Sequence, residues 1–110
     1  LAGMAFTTEV APGHRPGCLL WRTPLLEPVP QAPELTELVF TGDVVFAGSI
    51  GRTDLPGGDD DAMRRTLREV VLPLPDTAVL LPGHGPETTM ALERATNAYL
   101  QDSYLRPIQP

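Results

Sequence analysis

Three residues of this chain join a metal-binding side chain to a rigid backbone setting. His14 sits in Pro12-Gly13-His14-Arg15-Pro16-Gly17, Asp43 follows Thr41-Gly42, and His84 sits in Pro82-Gly83-His84-Gly85-Pro86. Glycine reaches backbone conformations that other residues resist and proline fixes its own φ, so each bracket holds its side chain in one orientation. Imidazole and carboxylate together suit zinc, iron or manganese. The chain has 2 histidines, and both occupy such a bracket. Taken singly, each residue has an ordinary explanation: loop histidines are commonly surface or capping residues, and aspartate after glycine is a common turn residue.

The elements that must position them can be read from punctuation and periodicity. Residues 4–11 carry β-formers with partial alternation and stop at Pro12, which predicts a strand leading into His14. Cys18 to Arg22 reads as a second short strand, and Glu37 to Thr41 as a third that runs into Gly42-Asp43. Between them, residues 23–37 are rich in proline and glutamate and read as a long surface connection. Residues 44–58 read as an ordered, glycine-rich loop. Asp59-Asp60-Asp61 opens a helix, because carboxylates in a first turn favour the positive end of the helix dipole. Met63, Leu67, Val70 and Val71 then share one face, Arg64, Arg65 and Arg68 form a solvated one, and Pro73 ends the helix. Thr77 to Leu81 is a fourth strand. A second helix is expected from Glu87 or Thr88 to about Leu100, with Leu92, Ala95 and Tyr99 on one side. The order is strand, strand, strand, helix, strand, helix, and three strand ends carry His14, Asp43 and His84.

The strings around these residues resemble the metallo-β-lactamase superfamily. They are Val39-Phe40-Thr41-Gly42-Asp43, Gly51-Arg52-Thr53-Asp54-Leu55-Pro56-Gly57-Gly58, and Leu81-Pro82-Gly83-His84-Gly85-Pro86-Glu87-Thr88-Thr89. His14 lies in a close relative of that family's Thr-Pro-Gly-His-Thr-Pro-Gly motif, with Ala11 for the first Thr and Arg15 for the second. Within the family the chain looks like the single-domain glyoxalase II-like (hydroxyacylglutathione hydrolase-like) branch. The resemblance implies an α/β fold, the αββα sandwich, of which residues 1–110 look like the carboxyl-terminal half: a mixed sheet plus two helices. It implies two divalent metal ions, zinc first with iron or manganese as alternatives. His14 would bind the first, Asp43 would bridge both and serve catalysis, and His84 would bind the second. The family's remaining ligands come from a His-x-His-x-Asp-His motif in the amino-terminal half, and that motif is absent from this chain. On their own, His14, Asp43 and His84 form a candidate facial set for one ion. Half a sandwich leaves an inner sheet face and an edge uncovered, so activity is expected only with the missing amino-terminal half as partner.

The activity that the resemblance implies is metal-dependent hydrolysis of a small-molecule thioester by a hydroxide held on the metals. Full-length glyoxalase II enzymes grip glutathione through a basic carboxyl-terminal extension. Here Arg106 is the one basic residue beyond Arg94, so the thiol carrier stays open. Arg52 and Asp54 are expected to form a buried ion pair that braces the loop behind Asp43. Two alternatives stand beside this reading. One is a mononuclear iron enzyme of the persulfide dioxygenase kind, which the position of Cys18 suggests. The other is a non-catalytic truncated half-domain. Cys18 itself reads as a small apolar residue, and Trp21 and Tyr99 as packing residues.

Composition bounds these readings. With 110 residues, 42% hydrophobic and 20% charged, the chain has the size of one small domain. A net charge of −6 argues against nucleic acid or an anionic membrane surface as partner. No apolar run approaches the roughly 20 residues that span a bilayer, and no signal peptide is visible. The single Cys18 has no internal disulfide partner, which leans toward a reducing, cytoplasmic setting.

Overall fold

The computed structural model describes residues 6–105; Met4 and Ala5 of the first expected strand, and Arg106, lie outside them. In chain order the elements are β1 (Thr7–Val10), β2 (Leu19–Pro24), β3 (Glu37–Gly42), β4 (Val45–Phe46), β5 (Ser49–Ile50), α1 (Asp60–Thr66), a π-helical turn (Leu67–Val71), β6 (Ala78–Pro82), β7 (Thr88–Thr89), α2 (Met90–Thr96), a 3₁₀ turn (Ala98–Leu100) and α3 (Asp102–Leu105). Five strands form one sheet in the order β1-β2-β3-β6-β7, and β4 and β5 form a separate hairpin.

Strand direction organises this sheet. β1 and β3 both run antiparallel to β2, and β3 runs parallel to β6. Three strands therefore point the same way and end at one edge. The register aligns their ends: Val10 faces Leu19 and Gly42 faces Pro82. A parallel pair cannot be closed by a tight turn. The crossover from β3 to β6 is supplied by the β4–β5 hairpin and α1, which pack on one face of the sheet. Leu20, Val39, Ala78 and Leu80 of that face meet Met63, Leu67 and Val71 in the core.

The opposite face is apolar and uncovered among the described residues. Leu19, Trp21 and Phe40 are all exposed there, Trp21 by 46%. Phe6 packs its ring against Trp21 edge-on, with centroids 6.1 Å apart, and against Phe40 at 6.2 Å. Trp21 thus packs on aromatic neighbours but is not a core residue. Cys18 is partly buried against the core.

Several expectations change in the folded chain. Residues 44–58 are not loop throughout, because β4 and β5 pair around Ala47-Gly48; strands of two residues are too short to show alternation. The first helix does end before Pro73, but its last turn is π-helical, closed by Leu72 N–H donating to the Leu67 carbonyl at 2.9 Å. The wider turn keeps Val71 over Leu67 in the core and leaves Val70 half-buried. The basic face of α1 and its π-helical turn is only partly solvated: Arg64 and Arg68 donate to the Tyr104 and Leu105 carbonyls at 3.1 and 2.9 Å, holding α3. The second helix begins at Met90 rather than at Glu87 or Thr88, with the Thr89 hydroxyl accepting from Leu92 N–H at 3.2 Å as its cap. It stops at Asn97, whose backbone is extended. Leu92 and Ala95 face solvent, Tyr99 is partly exposed but packs its ring edge-on against Tyr104 at 5.0 Å, and the buried side is Met90, Glu93, Asn97 and Leu100.

The proline-rich connection 23–37 closes the β2–β3 hairpin. Leu25 N–H donates to the Thr36 carbonyl at 2.9 Å, and the Thr36 and Thr77 hydroxyls meet at 2.6 Å. It lies at the end of the sheet opposite the three aligned strand ends. No helix among the described residues is long and apolar enough to cross a membrane.

Leu67→Ala is expected to lower stability by about 2–5 kcal/mol, whereas Leu92→Ser should stay within about 0.5 kcal/mol. Urea unfolding of the protein checks both.

Candidate metal centre

Each of the three residues singled out by type stands just past a strand end. Asp43 follows β3, and the turn below it is fastened by Val44 N–H donating to the Thr41 carbonyl (2.9 Å) and by the Thr41 hydroxyl donating to the Val45 carbonyl (2.8 Å). His84 follows β6, where Gly83 N–H donates to the Gly42 carbonyl at 2.8 Å and carries the parallel ladder one rung beyond the strands. His14 follows β1 in a loop pinned from beneath by α1. Gly13 accepts from Asp59 N–H at 2.7 Å, and the Thr66 hydroxyl donates to the Pro12 carbonyl at 2.6 Å. Gly13 has φ of 144°, and a Cβ there would lie 2.5 Å from the Met63 Cα, so only glycine lets the helix backbone come so close.

These elements bring the three side chains together. His14 Nε2 lies 3.6 Å from Asp43 Oδ2, and His84 Nε2 lies 3.5 Å from Asp43 Oδ1. The His14 ring is anchored on its other side, with Nδ1 2.8 Å from the Arg52 carbonyl oxygen. A carbonyl only accepts, so Nδ1 carries a proton, and in the neutral ring Nε2 presents its lone pair toward Asp43. A lone pair facing a carboxylate oxygen at that distance is not a hydrogen bond. It is a setting for a cation. Two metal–ligand arms of about 2.1 Å at a tetrahedral angle span about 3.4 Å, close to both observed separations. The donor set fits a first-row divalent metal.

The arrangement is two pairs, not a triad. Each histidine addresses a different oxygen of the one carboxyl group, and no group of three or more His, Cys, Asp or Glu side chains among the described residues gathers around a single point. The facial set for one ion is therefore not formed. The site is also graded in exposure: the His14 side chain is 14% exposed and that of His84 82%. Both line a groove of about 440 Å³ with Phe46, Ser49, Ile50, Gly51 and Arg52.

Arg52 and Asp54 pair as expected, with bonds of 2.8 and 3.0 Å, but the pair is not buried. Their side chains are 62% and 68% exposed. The hydrogen bond to Asp54, reinforced by its charge, raises the Arg52 pKa, and the same bond lowers that of Asp54, helped by a backbone bond. Solvent screens such a pair. What links this string to the site is its main chain: the Arg52 carbonyl orients His14, and Gly51 lets the chain pass Asp43. A Cβ on Gly51 would lie 1.8 Å from the Asp43 carbonyl oxygen and 3.3 Å from the His14 Cβ.

Two residues near the site escape sequence reasoning. Glu93 and Asn97 are buried and tie α2 to the hairpin that lines the groove. Their i, i+4 spacing on the face shared by Met90 is the signal that was there to find.

No family model matches the chain. Among curated relatives, the probable metallo-hydrolase YqgX of Bacillus subtilis is 38% identical over 93 residues, 84% of this chain and 39% of that protein. Hydroxyacylglutathione hydrolase GloC of Haemophilus influenzae is 36% identical over 100 residues, 91% of this chain and 42% of that protein. Among solved structures, BLEG-1 B3 metallo-beta-lactamase superposes with a TM-score of 0.75 at 35% identity, covering 91% of this chain and 43% of its own. TTHA1623 in a di-iron-bound form gives 0.68 at 38%, covering 86% and 42%. The chain thus spans a little under half the length of the relatives it matches.

Gly51→Ala is expected to cost about 1–3 kcal/mol through the clash with Asp43, read by urea unfolding of the protein. Arg52→Ala, which keeps the carbonyl and removes only an exposed pair, should leave the unfolding midpoint where it is.

Proposed function

The chain belongs to the metallo-β-lactamase superfamily, and on that premise we propose that it carries three ligands of a dinuclear metallo-hydrolase: His14 for one metal, His84 for the other, and Asp43 between them. The observation that carries this reading is the split of one carboxyl group between two imidazoles, at 3.6 and 3.5 Å. Zinc is the first candidate. Iron is the alternative, supported by the di-iron form of the similar TTHA1623.

When bound, such metals lower the pKa of coordinated water toward neutrality and polarise an acyl carbonyl. The residues of this chain do the positioning. Asp43, fixed at the end of β3, sets the spacing of the two imidazoles through its two oxygens. The Arg52 carbonyl keeps the proton on His14 Nδ1, so Nε2 stays available. Phe46 stands beside His84, ring centroids 6.4 Å apart, and with Ile50 gives the groove an apolar wall. That wall suits the acyl chain of a substrate and limits water around it.

The substrate class is a small-molecule thioester, a reading supported by the relative named hydroxyacylglutathione hydrolase. The remaining ligands and the cover for Trp21 and Phe40 belong to an amino-terminal half of the same domain. The reading places the enzyme in the cytoplasm, with no nucleic-acid or membrane partner.

In the full polypeptide, Asp43→Ala is expected to abolish hydrolysis of S-lactoylglutathione and related thioesters and to lower bound metal, measured by thiol release and by metal analysis. Full activity in that variant sinks the assignment.

A further inference from the structure

We propose that Glu93 is a positioning residue of the metal centre, whose buried carboxyl group locks the β4–β5 hairpin and the His84 loop to α2 and, through the Arg52 carbonyl, sets the proton on His14. The inference rests on the metal-centre reading above and adds a residue that touches none of the three ligands.

Glu93 is 1% exposed, and each of its contacts is to a neutral donor. Oε1 accepts from Gly48 N–H at 2.8 Å and from the Asn97 amide at 2.9 Å, and Oε2 accepts from the Thr88 hydroxyl at 2.8 Å. No arginine or histidine among the described residues pairs with it. A buried acid without a cationic partner is an expensive way to fill a helix face. An apolar side chain would fill the volume, but it could not hold three donors from three segments.

Those segments lead to the site. Gly48 is the turn of the hairpin, and the Asn97 amide also donates to the Ser49 carbonyl at 3.1 Å, so both sides of that turn are held. From Ser49 the chain runs through β5 to Gly51, whose N–H donates to the Val44 carbonyl at 3.0 Å. The next carbonyl is that of Arg52, which receives the His14 Nδ1 proton at 2.8 Å. In the other direction, Thr88 pairs with Leu80 in the sheet and closes the loop that carries His84. One carboxyl group therefore sits where the supports of both imidazoles meet. Freed from it, the hairpin can shift, the Arg52 carbonyl leaves Nδ1, and His14 is no longer held with Nε2 toward Asp43.

The test uses the full polypeptide carrying this chain, with Glu93→Ala, Glu93→Gln and Thr88→Val. Nitrogen-detected NMR of the metal-free proteins reads the His14 tautomer, and titration with zinc alone reads metal binding. The wild type is expected to hold His14 as the Nδ1–H form. Glu93→Ala should lose that single form and bind zinc about 10–100-fold more weakly, the range for groups that orient metal ligands. Glu93→Gln should return close to wild type, since its amide keeps an acceptor for Gly48 and Asn97 and offers a donor to Thr88. Should Glu93→Ala fail to fold, Thr88→Val keeps the idea open to refutation: it cuts only the branch to the His84 loop and should weaken zinc while leaving the His14 tautomer intact. An unchanged tautomer and zinc affinity in folded Glu93→Ala overturns the proposal, as does unchanged zinc affinity in Thr88→Val where Glu93→Ala does not fold. If the wild type binds no zinc while Glu93→Ala still disturbs His14, the metal-centre reading falls and the positioning role stands.

Discussion

The parallel pairing of β3 with β6 is the constraint on which the candidate site depends. Because those strands run the same way, and β1 runs with them across β2, the segments that follow each strand emerge at one edge of the sheet. In open α/β sheets the crevice beyond the carboxyl ends of parallel strands is where ligands bind. Here that edge receives Asp43 and His84 directly, through the extra rung between Gly83 and Gly42. His14 joins them because α1, the same element that makes the parallel crossover possible, packs against Gly13. The crossover and the site are thus built by one decision about strand direction.

Around this edge the backbone does much of the work that side chains do in other sites. The proton on His14 is set by a main-chain carbonyl, not by a carboxylate. Glycine at 13 and 51 allows main chain to approach main chain more closely than any side chain would permit. The ion pair of Arg52 and Asp54, the most eye-catching chemistry in its string, lies outside this arrangement and in solvent. A buried acid lies instead at Glu93, on the same face of α2 as Met90.

The molecule has two unlike faces. One side of the sheet is closed by helices over a core from Ala11 to Leu105. The other leaves Trp21 and Phe40 exposed, with the Phe6 ring edge-on to Trp21 and tilted against Phe40. A contiguous aromatic face of this kind usually marks an interface. It fits a chain that spans under half of its relatives' length.

The local chemistry could be read without coordinates. Pro-Gly brackets around His14 and His84 and a carboxylate after a β-run singled out three residues that the fold brings together, since turn residues act through their own φ and their nearest neighbours. Four of the strands and both main helices were legible for the same reason, within a residue or two at most ends. Short-range signals could not supply the hairpin at Val45–Ile50, whose strands are too short for alternation, or the π-turn that favours Val71 over Val70. They also gave the wrong face for α2, because apolar count along a helix says nothing about a carboxyl group whose donors come from residues 48, 88 and 97. The amino-acid sequence by itself determined the side-chain types at positions 14, 43 and 84 and the turn residues that bracket them. Tertiary structure decided that they form two pairs on one carboxyl group rather than a triad, because that depends on the register of strands some forty residues apart.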